Sequence, residues 1–318
     1  MQDLKVWALA PHEDWICDRF VDEWNRWATI ACHEMHDADL IWLLSDWTWR
    51  RMPRSLLERK RVVTTIHHIV PEKFGLAERA DFAERDSVTT AYHVPCEATR
   101  EQVAPLTSKP IHVIPFWVND EHWRPRASQD VDVALRLRLG LPTDRYLVGS
   151  FQRDTEGYDL SSPKLEKGPD LLCDALSAIA SARDDLHVVL AGWRRQYVIA
   201  RLQAADIPFT YVERPADHVV RLLYQALDLY LVTARYEGGP QAIVECAAMK
   251  VPIVSTPVGL ADRILAPRSV GRDVWTLTPD VDHARASVEP LLARGDIDPA
   301  QHALGMRPFE EMFQRVMA

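Results

Sequence analysis

The chain has 318 residues, 47% of them hydrophobic, and carries 37 basic against 46 acidic residues for a net charge of -9. That length suits two ordinary domains with real cores, and the acidic balance excludes a protein that coats nucleic acid indiscriminately. The five cysteines Cys17, Cys32, Cys96, Cys173 and Cys246 stand far apart without a CxxC pair. They suggest neither a disulfide framework nor a zinc cage, and they fit a reducing, cytoplasmic home. The start, Met1-Gln2-Asp3-Leu4-Lys5-Val6-Trp7, has no basic-then-apolar signal segment, and no run of apolar residues reaches membrane-spanning length. A soluble protein is expected, at most peripheral at the inner surface of a membrane.

Hydrophobic periodicity gives the elements in chain order. In the first part, strand-type runs fall at 5–10, 40–44, 62–67, 87–92 and 111–115, with helices between them. The polar, proline-containing stretch Arg124-Pro125-Arg126-Ala127-Ser128-Gln129-Asp130 is expected to be a linker. A second series places strands at 146–151, 186–191, 209–212, 228–232, 253–255 and 274–277, and helices at 170–183, 196–204, 218–226 and 242–249. The last helix, 308–317, sets Phe309, Met312, Phe313 and Val316 on one face and must pack against something. Strands alternating with helices throughout predict an α/β protein of parallel, helix-covered sheets. The expected division is a first domain over 1–125, a second over 126–300 and a closing helix within 301–318.

The stretch with most chemistry is Ala234-Arg235-Tyr236-Glu237-Gly238-Gly239-Pro240-Gln241-Ala242-Ile243-Val244-Glu245. Its glycines sit between a strand and a helix, where free N–H groups and the positive end of the helix dipole favour an anion. Glycine lets backbone approach phosphate oxygens, and Pro240 fits the first helical position. Glu237 lies before the helix and Glu245 about two turns into it, roughly 12 Å further along at 1.5 Å per residue. Carboxylates accept hydrogen bonds from vicinal hydroxyls, so one suits a sugar and the other a ribose diol. The plainer alternative is a glycine-punctuated turn with two solvated glutamates.

Several motifs in order resemble the C-terminal domain of family 4 glycosyltransferases with the GT-B fold. They are Val148-Gly149-Ser150-Phe151-Gln152-Arg153, Lys164-Leu165-Glu166-Lys167-Gly168-Pro169-Asp170-Leu171-Leu172, the Glu-x7-Glu element, and Val251-Pro252-Ile253-Val254-Ser255-Thr256-Pro257-Val258-Gly259. The resemblance implies two Rossmann-like domains facing across a cleft, and a donor that is a nucleotide diphosphate sugar such as a UDP- or GDP-sugar. It implies that Arg153 and Lys167 grip the diphosphate beside Gly238 and Gly239, that Glu237 holds the transferred sugar, and that Glu245 holds the ribose. It also implies retention of configuration and a closing helix that crosses back onto the first domain. Fixed cations at the leaving diphosphate accord with that chemistry, because charge grows there in the transition state. No Asp-x-Asp element stands out as a metal holder, so metal independence and no further cofactor are expected.

The first part follows the family less closely. By the resemblance, a histidine at the end of Val62-Val63-Thr64-Thr65-Ile66-His67-His68 would stand near the reacting sugar, His67 first and His68 second, since neighbouring strand residues face opposite ways. Where many relatives have a glycine-rich loop, this chain has Ala10-Pro11-His12-Glu13-Asp14. The insert 154–166 is longer than usual and is expected to form a flap, and Lys250 and Leu260 replace common glycines.

Nine of the eleven tryptophans precede the linker, Trp15 among them. Trp47 and Trp49, read on a rim loop, would stack on an acceptor sugar or base, the alternative being a loop folded over an apolar surface. Next, Arg50-Arg51-Met52-Pro53-Arg54-Ser55-Leu56-Leu57-Glu58-Arg59-Lys60-Arg61 carries six basic residues against one acidic. It suits anionic lipid, a phosphorylated acceptor or nucleic acid, or else is a solvated helix face. His33-Glu34-Met35-His36 lacks the His-Glu-x-x-His spacing of a zinc helix and is read as structural.

The expected activity is transfer of a sugar to an acceptor hydroxyl on a glycan, glycolipid or modified nucleobase. A nucleotide-sugar epimerase or hydrolase of the same fold, or a non-catalytic nucleotide-sugar binder, are the alternatives.

Overall fold

The computed structural model describes residues 4–13, 16–125, 133–158, 160–293 and 305–318. Two compact units emerge, Met1–Trp117 with Pro290–Ala318, and Val118–Glu289. The change of unit at Trp117 precedes the expected linker, whose residues 126–130 lie outside the described residues, as does Trp15.

The first unit is built on five parallel strands, β1 (Val6–Leu9), β2 (Leu40–Leu43), β3 (Arg61–Thr65), β4 (Ala91–Val94) and β5 (Ile111–Val113), side by side in chain order. Helices α1 (Ile16–Trp27), α2 (Leu76–Asp86) and α3 (Glu97–Val103) fall between them. β1, β2 and β4 are almost wholly buried, as a sheet covered by helices requires. The strand expected at 87–92 starts later, because the hydroxyl of Thr89 bonds the Arg85 carbonyl at 3.0 Å and extends the helix end into a turn.

Aromatic residues fill this unit's core. Trp24, Trp42 and Trp117 are completely buried, with Trp24 and Trp42 edge to face at 5.4 Å. The C-terminal helix Arg307–Met317 belongs to the same unit, and its Phe309, Met312 and Phe313 are fully buried in that cluster. Phe313 meets Trp42 at 5.3 Å and Trp24 at 5.5 Å. Each such side chain contributes about 1.5–3 kcal/mol by leaving water, so the apolar stripe finds its partner here.

Trp42 also begins a buried polar chain. Its indole N–H donates to the Thr65 hydroxyl at 2.9 Å, which donates to His93 Nδ1 at 2.9 Å, while His93 Nε2 donates to the Ile114 carbonyl at 2.7 Å. Burial pushes the His93 pKa down to about 3, which keeps the ring neutral.

The second unit has strands β6 (Tyr146–Ser150), β7 (Leu186–Ala191), β8 (Phe209–Val212), β9 (Leu229–Val232) and β10 (Ile253–Ser255) and helices α4 (Pro169–Ala182), α5 (Gln196–Ala204), α6 (Asp217–Ala226) and α7 (Gln241–Met249). The spatial order is β10-β9-β6-β7-β8, all parallel. Strand order therefore reverses between β6 and β9, and ligands of doubly wound sheets bind outside the carboxyl ends at such a reversal. The first sheet has no reversal among its described strands.

Two local departures have simple causes. Residues 274–277 form no strand but a turn of 3-10 helix, Val274–Thr276, because both the amide and the hydroxyl of Thr276 bond the Asp273 carbonyl, at 2.9 and 2.8 Å. Lys250, in a glycine's usual place, takes the left-handed conformation that ends α7, with φ 58° and ψ 36°.

Candidate functional site

The loops leaving β6 and β9 sit at the reversal, and the residues singled out in the second unit cluster there. Lys167 ends a 3-10 turn (Leu165–Lys167), and Gly168 follows at φ 62° to open α4 at Pro169. A Cβ on Gly168 would stand 1.8 Å from the Thr233 carbonyl oxygen, so only glycine fits. The loop after β9 is tied to this turn at several points. Thr233 Oγ1 donates to Gly168 O at 2.9 Å, and the amides of Arg235 and Tyr236 donate to Glu166 O at 2.8 and 3.2 Å. Arg235 forks onto Asp170 at 2.7 and 2.6 Å, and that guanidinium holds the Asp170 carboxyl below its ordinary value.

This stitching delivers Lys167 Nζ to Glu237 Oε1 as an ion pair, both side chains mostly buried. Gln152, after β6, donates to Lys167 O at 2.7 Å and so reaches the same turn. Arg153 donates through Nε to Thr155 O at 2.9 Å, and burial followed by the neighbouring Arg194 lowers its pKa. Lys164 senses both Lys167 and Arg153 beside Glu166, with burial lowering its pKa most. Arg153, Lys164 and Lys167 thus form one cationic neighbourhood answered by Glu166 and Glu237. Arg153, Lys167 and Glu237, three of the expected site residues, are brought together. The sequence reading missed Gln152, Thr233 and the Arg235–Asp170 pair, although Gly168-Pro169 was a visible signal of a left-handed turn opening a helix.

Gly238 and Gly239 lead into α7, whose first helical residue is Gln241, with Pro240 as its cap. Glu245 accordingly lies little more than one turn into the helix, not two, and is 5% exposed. Gly259 approaches the Gly238 carbonyl so closely that a Cβ would come within 2.7 Å.

The insert 154–166 is a pinned hairpin. Thr155 bridges Pro163, Glu156 N bonds Ser162 O at 3.0 Å, and Lys164 N bonds Asp154 O at 2.8 Å. Its root is the fully buried pair Arg195–Asp154 at 2.9 Å, with Arg195 also donating to Ser150 O. Residue 159 at the tip lies outside the described residues.

In the first unit, His67 and His68 lie just beyond the carboxyl end of β3. His67 Nε2 contacts the Leu44 carbonyl at 2.9 Å and Cys17 Sγ at 3.6 Å. A carbonyl only accepts, so Nε2 carries the proton and the ring's basic lone pair is on Nδ1. Burial pushes the Cys17 thiol up to about 12, so this is no thiolate–imidazole pair. The loop in place of the glycine-rich one is occupied by its own chain, since the Asp18 carboxylate accepts from the amides of His12 and Glu13 at 2.7 and 2.8 Å. A side-chain carboxylate stands where those amides would meet an anion.

One expectation in this unit is corrected. Trp47 and Trp49 lie on a 3-10 helix (Asp46–Arg51), and only Trp47 is accessible, at 42%. Trp49 is 4% exposed within a core cluster that includes Leu9, Ile41 and Leu43, so it cannot stack on an acceptor. Four cations of the basic segment have partners within their own unit. Arg50 pairs with Asp81 and Glu84, Arg54 with Glu58, Arg51 with Glu13, and Lys60 donates to His36 O.

Among the described residues, no three His, Cys, Asp or Glu side chains gather as a metal site, and no helix is long and apolar enough to cross a membrane.

The two parallel α/β units define a protein of the GT-B class. Residues 160–293 match the family described as glycosyl transferases group 1, the type that the motifs of this unit resemble. Structures of like fold include Anabaena Alr3699/HepE in complex with UDP and glucose, with a TM-score of 0.65 at 16% identity over 88% of this chain and 79% of that one. A glycosyltransferase from Rickettsia africae has a TM-score of 0.63 at 12% identity over 100% and 99%. The putative teichuronic acid biosynthesis glycosyltransferase TuaC of Bacillus subtilis is 24% identical over 163 residues, half of this chain. That match spans 36% of the relative's length.

Proposed function

We propose that this chain transfers a sugar from a nucleotide diphosphate sugar to an acceptor hydroxyl, retaining the anomeric configuration and needing no metal. The observation that carries the reading is the Lys167–Glu237 pair, fixed by the Gly168 turn at the strand-order reversal of a unit that matches group 1 glycosyl transferases. Like structures hold UDP and UDP-glucose, so UDP-glucose is the first donor to test.

Arg153 and Lys167 would meet the diphosphate, where fixed cations offset the charge that grows as the sugar bond breaks. Glu237, drawn from Lys167 by the entering donor, would bind sugar hydroxyls and stabilise positive charge on the sugar ring. Glu245 would hold the ribose. The departing phosphate would take the acceptor proton in a front-side attack, so no covalent nucleophile is assigned. In the first unit, His67 and accessible Trp47 are the candidates for contact with the sugars. The acceptor class, glycan or glycolipid first, rests on the kind of task named for the Bacillus relative, and a reducing cytoplasm on the five unpaired cysteines.

The test is release of nucleoside diphosphate from a panel of UDP- and GDP-sugars, with and without glycan and glycolipid acceptors and with and without chelator. Acceptor-dependent, chelator-resistant release lost in Glu237→Ala supports the reading. Donor consumption that ignores every acceptor favours the hydrolase or epimerase alternative.

A further inference from the structure

The loop leaving β7 carries Trp193, an indole left 44% exposed. Three guanidinium groups lie over its ring, Arg153 at 5.3 Å, Arg194 at 5.1 Å and Arg214 at 4.7 Å. They arrive from the loops after β6, β7 and β8, so the sheet itself assembles them. Cation–π attraction holds each cation to the ring, while three like charges so close repel one another. In the same unit Lys167, Arg195 and Arg235 each have a carboxylate partner, but among the described residues Arg153, Arg194 and Arg214 form no ion pair. Glu156 and Glu166 act on Arg153 only as more distant charges.

Arg194 makes the arrangement more demanding. It is 9% exposed, its Nη2 donates to the Gly157 carbonyl of the hairpin, and its buried Nε meets no acceptor. A buried donor left unmade is costly unless a ligand supplies the missing acceptor. Arg194 and Arg214 also hold left-handed backbone, at φ 62° and 45°, a conformation that persists for non-glycine residues where surroundings enforce it.

We propose that Trp193 sets these three arginines as one anion centre that binds a diphosphate group and prefers a free nucleoside diphosphate to its sugar ester. The inference rests on the donor reading through Arg153 and goes beyond it in assigning Trp193, Arg194 and Arg214. A free nucleoside diphosphate ends in a phosphate monoester whose second ionisation adds negative charge at neutral pH, whereas the sugar ester lacks it. Guanidinium forks match phosphate oxygens in bidentate fashion, so a surplus of fixed arginines favours the more highly charged species. The enzyme is then held back by its own product.

Calorimetric titration of the full chain with inorganic pyrophosphate, UDP and UDP-glucose tests this. The parent should bind pyrophosphate and UDP more tightly than UDP-glucose, with affinity falling as salt rises. Arg214→Gln, at an exposed position, should weaken pyrophosphate and UDP about tenfold, the size of one lost charge-assisted bond, and UDP-glucose less. Trp193→Leu should weaken both anions although all three arginines remain. If both variants keep the parent's circular dichroism and bind pyrophosphate and UDP as tightly as the parent, the proposal is overturned. If the parent binds pyrophosphate and Arg214→Gln loses it, while no UDP- or GDP-sugar binds either protein, the anion centre stands and the donor reading falls.

Discussion

Replacing Gly168 with alanine strikes the joint that sets Lys167 against Glu237. Two costs can be separated. The left-handed backbone at φ 62° disfavours any Cβ by about 1–2 kcal/mol. In addition, the new Cβ would lie 1.8 Å from the Thr233 carbonyl oxygen, against 3.4 Å for ordinary contact, so the turn and the loop must part by 1.6 Å (3.4 less 1.8). That movement stretches the Thr233 Oγ1 to Gly168 O bond of 2.9 Å and the Gln152 Nε2 to Lys167 O bond of 2.7 Å, each worth about 0.5–1.5 kcal/mol. The sum is about 2–5 kcal/mol. Gly140→Ala is the control, because Gly140 has φ 68° with nothing within 4 Å of the added Cβ, and it should cost only the conformational 1–2 kcal/mol or so. Urea unfolding followed by circular dichroism reads both, and stabilisation by UDP-glucose should vanish in Gly168→Ala alone. Equal losses in the two variants would refute the argument that the Thr233 approach fixes this turn.

Asp154→Ala leaves the fully buried Arg195 without its carboxylate, so it should destabilise the second unit by about 3–5 kcal/mol in urea unfolding; a loss under about 1 kcal/mol would show that the hairpin root is not set by this pair. Lys250→Gly removes a side chain from a left-handed helix end and should stabilise the chain by up to about 1 kcal/mol, read as a higher unfolding midpoint; a lower midpoint contradicts it. His93 has a folded pKa of about 3, below its ordinary 6.5. A depressed value contributes stability that is complete above 6.5 and lost as pH falls, by about 1.4 kcal/mol per pH unit. Parent unfolding at successive pH values from 7 downward should show that slope, and His93→Gln should flatten it.

Much of the second unit was legible because most of its strand residues are buried apolar ones and its turns are marked by glycine and proline. The strands at 186–191, 209–212 and 253–255 coincide with observed ones, and the Glu-x7-Glu element stands at the strand-order reversal. What escaped were effects decided by distant partners. Trp49 sits beside Trp47 in sequence, but only tertiary packing against Leu9 and Ile41 tells which is buried. The ion pairs of Arg50 were not legible because its partners Asp81 and Glu84 come from a helix distant in sequence. Short β-branched runs at 87–92 and 274–277 mimic strands, and threonine hydroxyls bonding nearby carbonyls turned both aside. The convergence on Trp193 was hidden for the same reason, its arginines coming from three loops.

The central claim is that the turn at Lys167 and the loop at Glu237 receive the diphosphate and sugar of an activated donor. A crystal structure of the chain soaked with UDP-glucose tests it most directly. The account predicts a diphosphate within hydrogen-bond distance of Lys167 and Arg153, and a hexose whose hydroxyls have drawn Glu237 away from Lys167. A nucleotide sugar bound elsewhere, with the Lys167–Glu237 pair intact, would contradict it.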